Sequence, residues 1–141
     1  MSRSVKAPEV RLVMPWPPSV NGYWRAHGVL SHRGGKPRVI VSQILSEKGR
    51  DYRRSAAEAV LIQGSPQIAG RVRVTESFFP PSRREYDIDN FRKAYRDALT
   101  HSGVIEDDQM IDSDLGNKCR PDKANPRIEI VIQAITNDWR V

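Results

Sequence analysis

Cysteine is almost missing from this 141-residue chain, and the single Cys119 excludes an internal disulfide framework and a thiolate metal site. An ordinary buried or half-buried thiol is expected there. No apolar run approaches the roughly 20 residues that a bilayer-spanning helix requires. The opening Met1-Ser2-Arg3-Ser4-Val5-Lys6-Ala7-Pro8 lacks the apolar centre of a secretory leader. These absences point to a reducing cytoplasm and no membrane partner. Internal repeats, low-complexity blocks and a glycine-rich phosphate loop are also lacking. What remains is 38% hydrophobic and 28% charged residues, the balance of one globular domain with room for a real core.

The formal net charge is +6, from 23 basic and 17 acidic residues. The acids are unevenly spread, with Glu106, Asp107, Asp108, Asp112 and Asp114 close together. The rest of the surface is therefore more basic than the total implies. A basic body around a local acidic pocket suits a metal-dependent nuclease, in which Lys and Arg hold phosphates and carboxylates hold ions.

Residues 83 to 108 carry most of the information. Phe91, Ala94, Tyr95 and Ala98 recur at i, i+3, i+4, i+7, one face of a helix. Asp89, Lys93 and Asp97 recur at i, i+4, i+8 on another face, expected to point outward. His101-Ser102-Gly103 reads as the helix stop. If the segment before the helix is extended, Asp87 and Asp89 point to one side and Ile88 to the other. One helix and a turn later, Asp107 and Asp108 are placed to double back beside them. Oxygen ligands without His or Cys suit a hard cation such as Mg²⁺ or Mn²⁺. The plainer alternative makes Asp89 a helix N-cap, Asp89, Lys93 and Asp97 solvated pairs, and 106–114 an exposed loop.

Asp87-Ile88-Asp89-Asn90-x-x-Lys93, then Asp97-Ala98-Leu99, then Gly103-Val104-Ile105-Glu106-Asp107-Asp108-Gln109 resemble the RusA family of Holliday-junction resolvases. Pro15-Trp16-Pro17-Pro18-Ser19-Val20-Asn21 resembles that family's opening motif, and the likeness spans about Val10 to Ile132. It implies that Asp87, Asp89 and Asp108 are metal-binding catalytic carboxylates, that Lys93 is the catalytic lysine, and that the protein is a homodimer. Glu85 and Tyr86 stand where the family often continues a basic run, and the segment from Gly116 to Asn125 has no clear counterpart.

In chain order, 1–9 is expected as a tail and Val10–Met14 as a strand stopped by prolines, whose peptide bonds the sequence leaves open as cis or trans. Tyr23, Trp24, Arg25, His27, His32, Arg33, Lys36 and Arg38 lie on a glycine-rich segment, either a mobile arm on a sugar-phosphate backbone or a plain hairpin. A helix from Ser42 or Ser46 to about Gln63 buries Leu45, Tyr52, Ala56, Ala59 and Val60. Its other side carries Lys48, Arg50, Arg53 and Arg54. Strands are expected at 70–79, 109–118 and 127–135, followed by a tail at 136–141. The expected fold is α+β, one small domain with a mixed sheet and two main helices on one side.

The expected function is a Mg²⁺-dependent endonuclease that resolves four-way DNA junctions by paired nicks. The two-fold symmetry of a junction matches a homodimer. Arg25, Lys36, Arg83, Arg84 and Arg92 are the expected DNA contacts. The competing readings are a branched-DNA-binding protein that does not cut and a phosphotransfer enzyme for a small substrate.

Overall fold

The computed structural model describes residues 8–136. Residues 1–7 and 137–141, which include most of the two expected tails, lie outside the described residues. The chain forms β1 (Glu9–Pro15), a single turn α1 (Val20–Tyr23), β2 (Trp24–Ser31), β3 (Arg38–Leu45) and α2 (Glu47–Ile62). It continues through β4 (Val72–Phe79), α3 (Asp89–His101), β5 (Ile111–Lys118) and β6 (Arg127–Ala134).

Period-two alternation builds the main sheet, ordered β1-β6-β4-β5. Val10, Leu12 and Met14 of β1 are buried while Arg11 and Val13 are exposed. The antiparallel register sets Leu12 beside Ile130 of β6 and Ile130 beside Glu76 of β4, so the buried residues of all three strands share one face. α2 and α3 cover that face with Tyr52, Ala56, Val60, Ala94, Tyr95, Ala98 and Leu99, and among the described residues no helix covers the other face. β5 alone runs parallel to its neighbour β4, and α3 is the crossover between them. The mixed sheet with helices on one side is as the sequence indicates.

Glu9 belongs to β1, paired with Gln133, and Ala134 N donates to Pro8 O at 3.0 Å, so the first strand begins earlier than expected. The peptide bonds of the described residues are all trans. The glycine-rich segment is a long hairpin, β2 with β3, forming a separate two-stranded sheet. β3 takes up Ser42, so the second helix starts at Ser46, whose Oγ accepts from Gly49 N at 2.9 Å. Val39, Ile40 and Val41 are β-branched and pair across the hairpin, which favours strand over a longer helix. α3 ends as expected, with Gly103 at φ 77°.

Candidate active site

Two loops and α3 position the acidic residues. The loop from Pro80 to Ile88 is held by an aromatic cluster: Trp16 packs on Tyr86 at 5.6 Å, on Phe91 at 5.0 Å and on Phe78 at 6.1 Å between ring centroids. Lys118 Nζ lies 4.6 Å from the centre of the Tyr86 ring. Trp16 of the Pro-Trp-Pro-Pro segment thus anchors the stretch that delivers Asp87. It is a positioning residue whose role the motif alone did not show.

Asp87 and Asp89 do not flank an extended residue. Ile88 is already helical (φ −53°, ψ −42°) and half-buried, so the alternation expected of an extended segment does not apply. Asp87 Oδ1 instead accepts from Asp89 N at 3.1 Å, which makes Asp87 the residue that caps the chain entering α3. Asp89 is the first residue of α3 and not its cap. Both carboxylates therefore stand at the positive end of the helix dipole.

At the second site, Asp107 Oδ1 accepts from Gln109 N at 2.9 Å and shapes the turn that precedes β5. That backbone N–H, and next the adjacent Asp108 side chain, hold the Asp107 carboxyl below its usual range. Asp108 Oδ2 lies 3.7 Å from Lys93 Nζ. The structure thus brings Lys93 and Asp108 together from segments separated by the rest of α3 and a turn. It does not pair Lys93 with Asp89 or Asp97: Asp89 is taken by Arg92, Nη1 to Oδ1 at 2.8 Å. Arg92 and Lys93, neighbours on α3, therefore take different carboxylates of the site.

Among the described residues no group of three or more His, Cys, Asp or Glu is gathered into a ready metal cage. The convergence of Asp87, Asp89 and Asp108 in one ligand sphere, expected from the sequence, is not complete in this arrangement. The donor chemistry does fit a hard cation: these groups offer only carboxylate oxygens, and Asp89 is left with one oxygen outside its Arg92 bond.

Asp97, expected on the outward stripe, turns inward between helices. It accepts from Tyr23 Oη and binds Arg53 Nη2 at 2.7 Å. A helix advances 100° per residue, so an i, i+4, i+8 stripe drifts by about 80° over eight residues, which carries Asp97 towards α1 and α2. The most consequential residue to which the sequence assigns no role is Glu76. It sits fully buried on the inward face of β4, with Arg92 Nε at 2.8 Å from Oε1 and Arg96 Nη2 at 3.1 Å from Oε2. Burial raises its pKa against the opposing pull of Arg96 and Arg92. Arg96 also holds Asp114 Oδ2 at 2.8 Å, and this bond first of all lowers the Asp114 pKa. A glutamate at an inward position of an alternating strand was the available signal.

Arg25, Lys36, Arg83 and Arg84 are exposed, with Arg83 and Arg84 in the loop leading to Asp87. Arg92 differs: its guanidinium is committed to Glu76 and Asp89, because the helix face it occupies looks onto β4 and β5 and not onto solvent. On α2, Arg50, Arg53 and Arg54 line, with Trp24, Ile44 and His101, a groove of about 860 Å³ beside the hairpin base. Cys119 is half-buried, as expected. No helix among the described residues is long and apolar enough to cross a membrane.

With this geometry in view, the chain compares clearly with known proteins. Residues 15–133 match the family model described as Endodeoxyribonuclease RusA. The crossover junction endodeoxyribonuclease of Enterobacteria phage HK97 is 33% identical over 107 residues, covering 74% of this chain and 78% of that protein. Those of Enterobacteria phage 82 and Escherichia coli K12 are 31% and 32% identical, each covering 90% of this chain and 96% of the relative. The matched span runs from the Pro-Trp-Pro-Pro segment to the last strand and takes in Asp87, Asp89, Lys93, Asp108, Glu76 and Arg92, and the chain belongs to the RusA endodeoxyribonuclease family.

Proposed function

We propose that this protein is a Mg²⁺-dependent, structure-selective endodeoxyribonuclease that cuts four-way DNA junctions by paired symmetric nicks. The observation that carries the proposal is Lys93 Nζ at 3.7 Å from Asp108 Oδ2. It links the α3 start, where Asp87 and Asp89 stand, to the acidic turn before β5, within a span matched to endodeoxyribonucleases.

Asp87, Asp89 and Asp108 would hold Mg²⁺ or Mn²⁺, with Asp107 beside them as an alternate ligand. When bound, such an ion acidifies a coordinated water and neutralises charge at a phosphate. The chain's own residues account for the remaining steps. Arg83 and Arg84 are exposed just ahead of Asp87 and hold the sugar-phosphate backbone there. Lys93, on a rigid helix, presents an ammonium where negative charge grows on the phosphate oxygens, and Asp108, its partner in this structure, would be one of the carboxylates that hold the ion. Trp16 and Phe91 keep the α3 start fixed while DNA is engaged.

Paired nicks call for two sites related by the junction's own two-fold axis, which a homodimer provides. The β2–β3 hairpin supports this reading. Val29 and Ile40 pair on one of its faces, and Leu30 pairs with Val39 on the other, yet they are 48%, 54%, 58% and 68% exposed. An isolated two-stranded ribbon is marginal in water, so apolar side chains on both faces favour cover by a second copy.

The test is a labelled synthetic four-way junction incubated with and without Mg²⁺, beside a linear duplex. Symmetric nicks on the junction alone, and with metal alone, are expected. Tight junction binding without any Mg²⁺-dependent nick would instead establish a non-cleaving binder.

A further inference from the structure

Arg92 bridges two carboxylates of different kinds. Its Nε donates to Glu76 Oε1 at 2.8 Å, and its Nη1 donates to Asp89 Oδ1 at 2.8 Å. Glu76 is fully buried, whereas the Asp89 side chain is 77% exposed. The planar, rigid guanidinium thus runs from the interior of the sheet to the surface carboxylate at the start of α3. We propose that Arg92 is a positioning residue for Asp89, aimed by buried Glu76 beneath it and given its space by the missing side chain of Gly116. This rests on the reading of Asp89 as a metal-binding carboxylate.

Three observations support it. First, a buried carboxylate on an otherwise apolar sheet face is unfavourable unless paired, and each Glu76 oxygen has one arginine, Arg92 or Arg96. Second, the charges balance in a way that favours a cation outside. A bare arginine beside Asp89 repels an incoming divalent ion, but Glu76 cancels the Arg92 charge from behind. With Asp114 also on Arg96, three carboxylates face two guanidiniums and leave one negative charge over. Third, Gly116 of β5 lies opposite Glu76 in the parallel register. A Cβ added there would stand 2.6 Å from Arg92 Nη2 and 3.3 Å from Glu76 Oε1. Only glycine leaves the guanidinium where it is.

Arg92 occupies one Asp89 oxygen and leaves the other for an ion, so its bond selects the carboxylate's orientation. Groups that orient metal ligands in this way typically change metal affinity about 10- to 100-fold when removed. Gly116→Ala is the cleaner probe because it deletes no charge and presses first on the Arg92 guanidinium at 2.6 Å, and less on Glu76 Oε1 and Ile88 Cγ2 at 3.3 Å. Glu76→Gln is the second probe.

The experiment measures Mg²⁺ binding to the DNA-free protein by titration calorimetry, the Mg²⁺ concentration for half-maximal junction nicking, and junction affinity without metal. Gly116→Ala is expected to weaken Mg²⁺ binding and raise the half-maximal concentration by about tenfold or more. Its metal-free junction affinity should stay near wild type, while its urea midpoint falls because buried Glu76 loses part of its pairing. Glu76→Gln should weaken Mg²⁺ binding likewise, with a lower urea midpoint. Wild-type Mg²⁺ affinity in folded Gly116→Ala overturns the role given to Arg92, even if Glu76→Gln does not fold. A wild-type protein that binds no divalent cation instead overturns the metal reading of Asp89 itself.

Discussion

Removing the Asp97 carboxylate should weaken the fold without touching the chemistry, although the sequence places Asp97 in the same stripe as Asp89 and Lys93. Asp97 joins three elements: Tyr23 at the end of α1, Arg53 of α2 and its own helix α3. Tyr23 is completely buried, and its hydroxyl is held well above the usual pKa, first by burial and next by the hydrogen bond to Asp97, so it stays a donor. In Asp97→Ala that donor loses its acceptor, a loss of about 1–3 kcal/mol. The Arg53 side chain is 27% exposed, so water compensates part of its lost ion pair, leaving about 1 kcal/mol. The sum is about 2–4 kcal/mol. With a urea m-value of about 2 kcal/mol/M, the unfolding midpoint should fall by about 1–2 M at unchanged m. Tyr23→Phe removes the donor as well as its need, and in a double-mutant cycle the pair should show coupling of about 1 kcal/mol or more. A midpoint shift below about 0.3 M, or loss of nicking in a variant that remains folded under the assay conditions, refutes the assignment of Asp97 to the scaffold.

Other perturbations probe other parts of the molecule. The Asp114 carboxyl is held below its usual range, first by its hydrogen bond from Arg96, so the stability it lends is present above pH about 3.8 and is lost as pH falls through its folded value. Asp114→Asn should accordingly flatten the acid limb of a stability-against-pH curve, and an unchanged acid limb would count against the ion pair. Ile40→Glu, at a site 54% exposed on the hairpin, should shift the protein towards monomer in sedimentation while its far-UV spectrum holds; an unaltered mass would show that the hairpin is not the interface. Replacing Arg83 and Arg84 together by Ala should reduce the slope of log affinity against log salt by about 2, roughly 0.9 for each phosphate no longer neutralised, and an identical slope would remove them from the DNA surface.

Much of the fold is legible in the sequence because alternation and capping are local. Val10, Leu12 and Met14, or Ile128, Ile130 and Ile132, announce their strands without help from the rest of the chain. Ser46 and Gly103 mark helix ends by their own chemistry. The hairpin is harder to read, since Val39, Ile40 and Val41 show no amphipathic alternation and are fixed only by pairing with β2. In the site, the sequence pairs Asp87 with Asp89 and expects the acidic turn to return beside them, whereas the contact the structure shows from that turn is Asp108 to Lys93. The sequence does not reveal which cation each acid finds. Arg92 and Lys93 are neighbours, yet 100° of helix rotation sends one to Glu76 and Asp89 and the other to Asp108. Glu76 and Gly116 become meaningful only once the parallel pairing of β4 with β5 sets them side by side.

The most direct test of the account is a crystal structure of the protein soaked with Mn²⁺, with the ion located by its anomalous scattering. The account predicts an ion within about 2.0–2.3 Å of oxygens from Asp87 or Asp89 and from Asp108, with Lys93 freed from its carboxylate partner. Mn²⁺ bound elsewhere, or Asp108 still paired with Lys93 and away from an ion held at the α3 start, would contradict it.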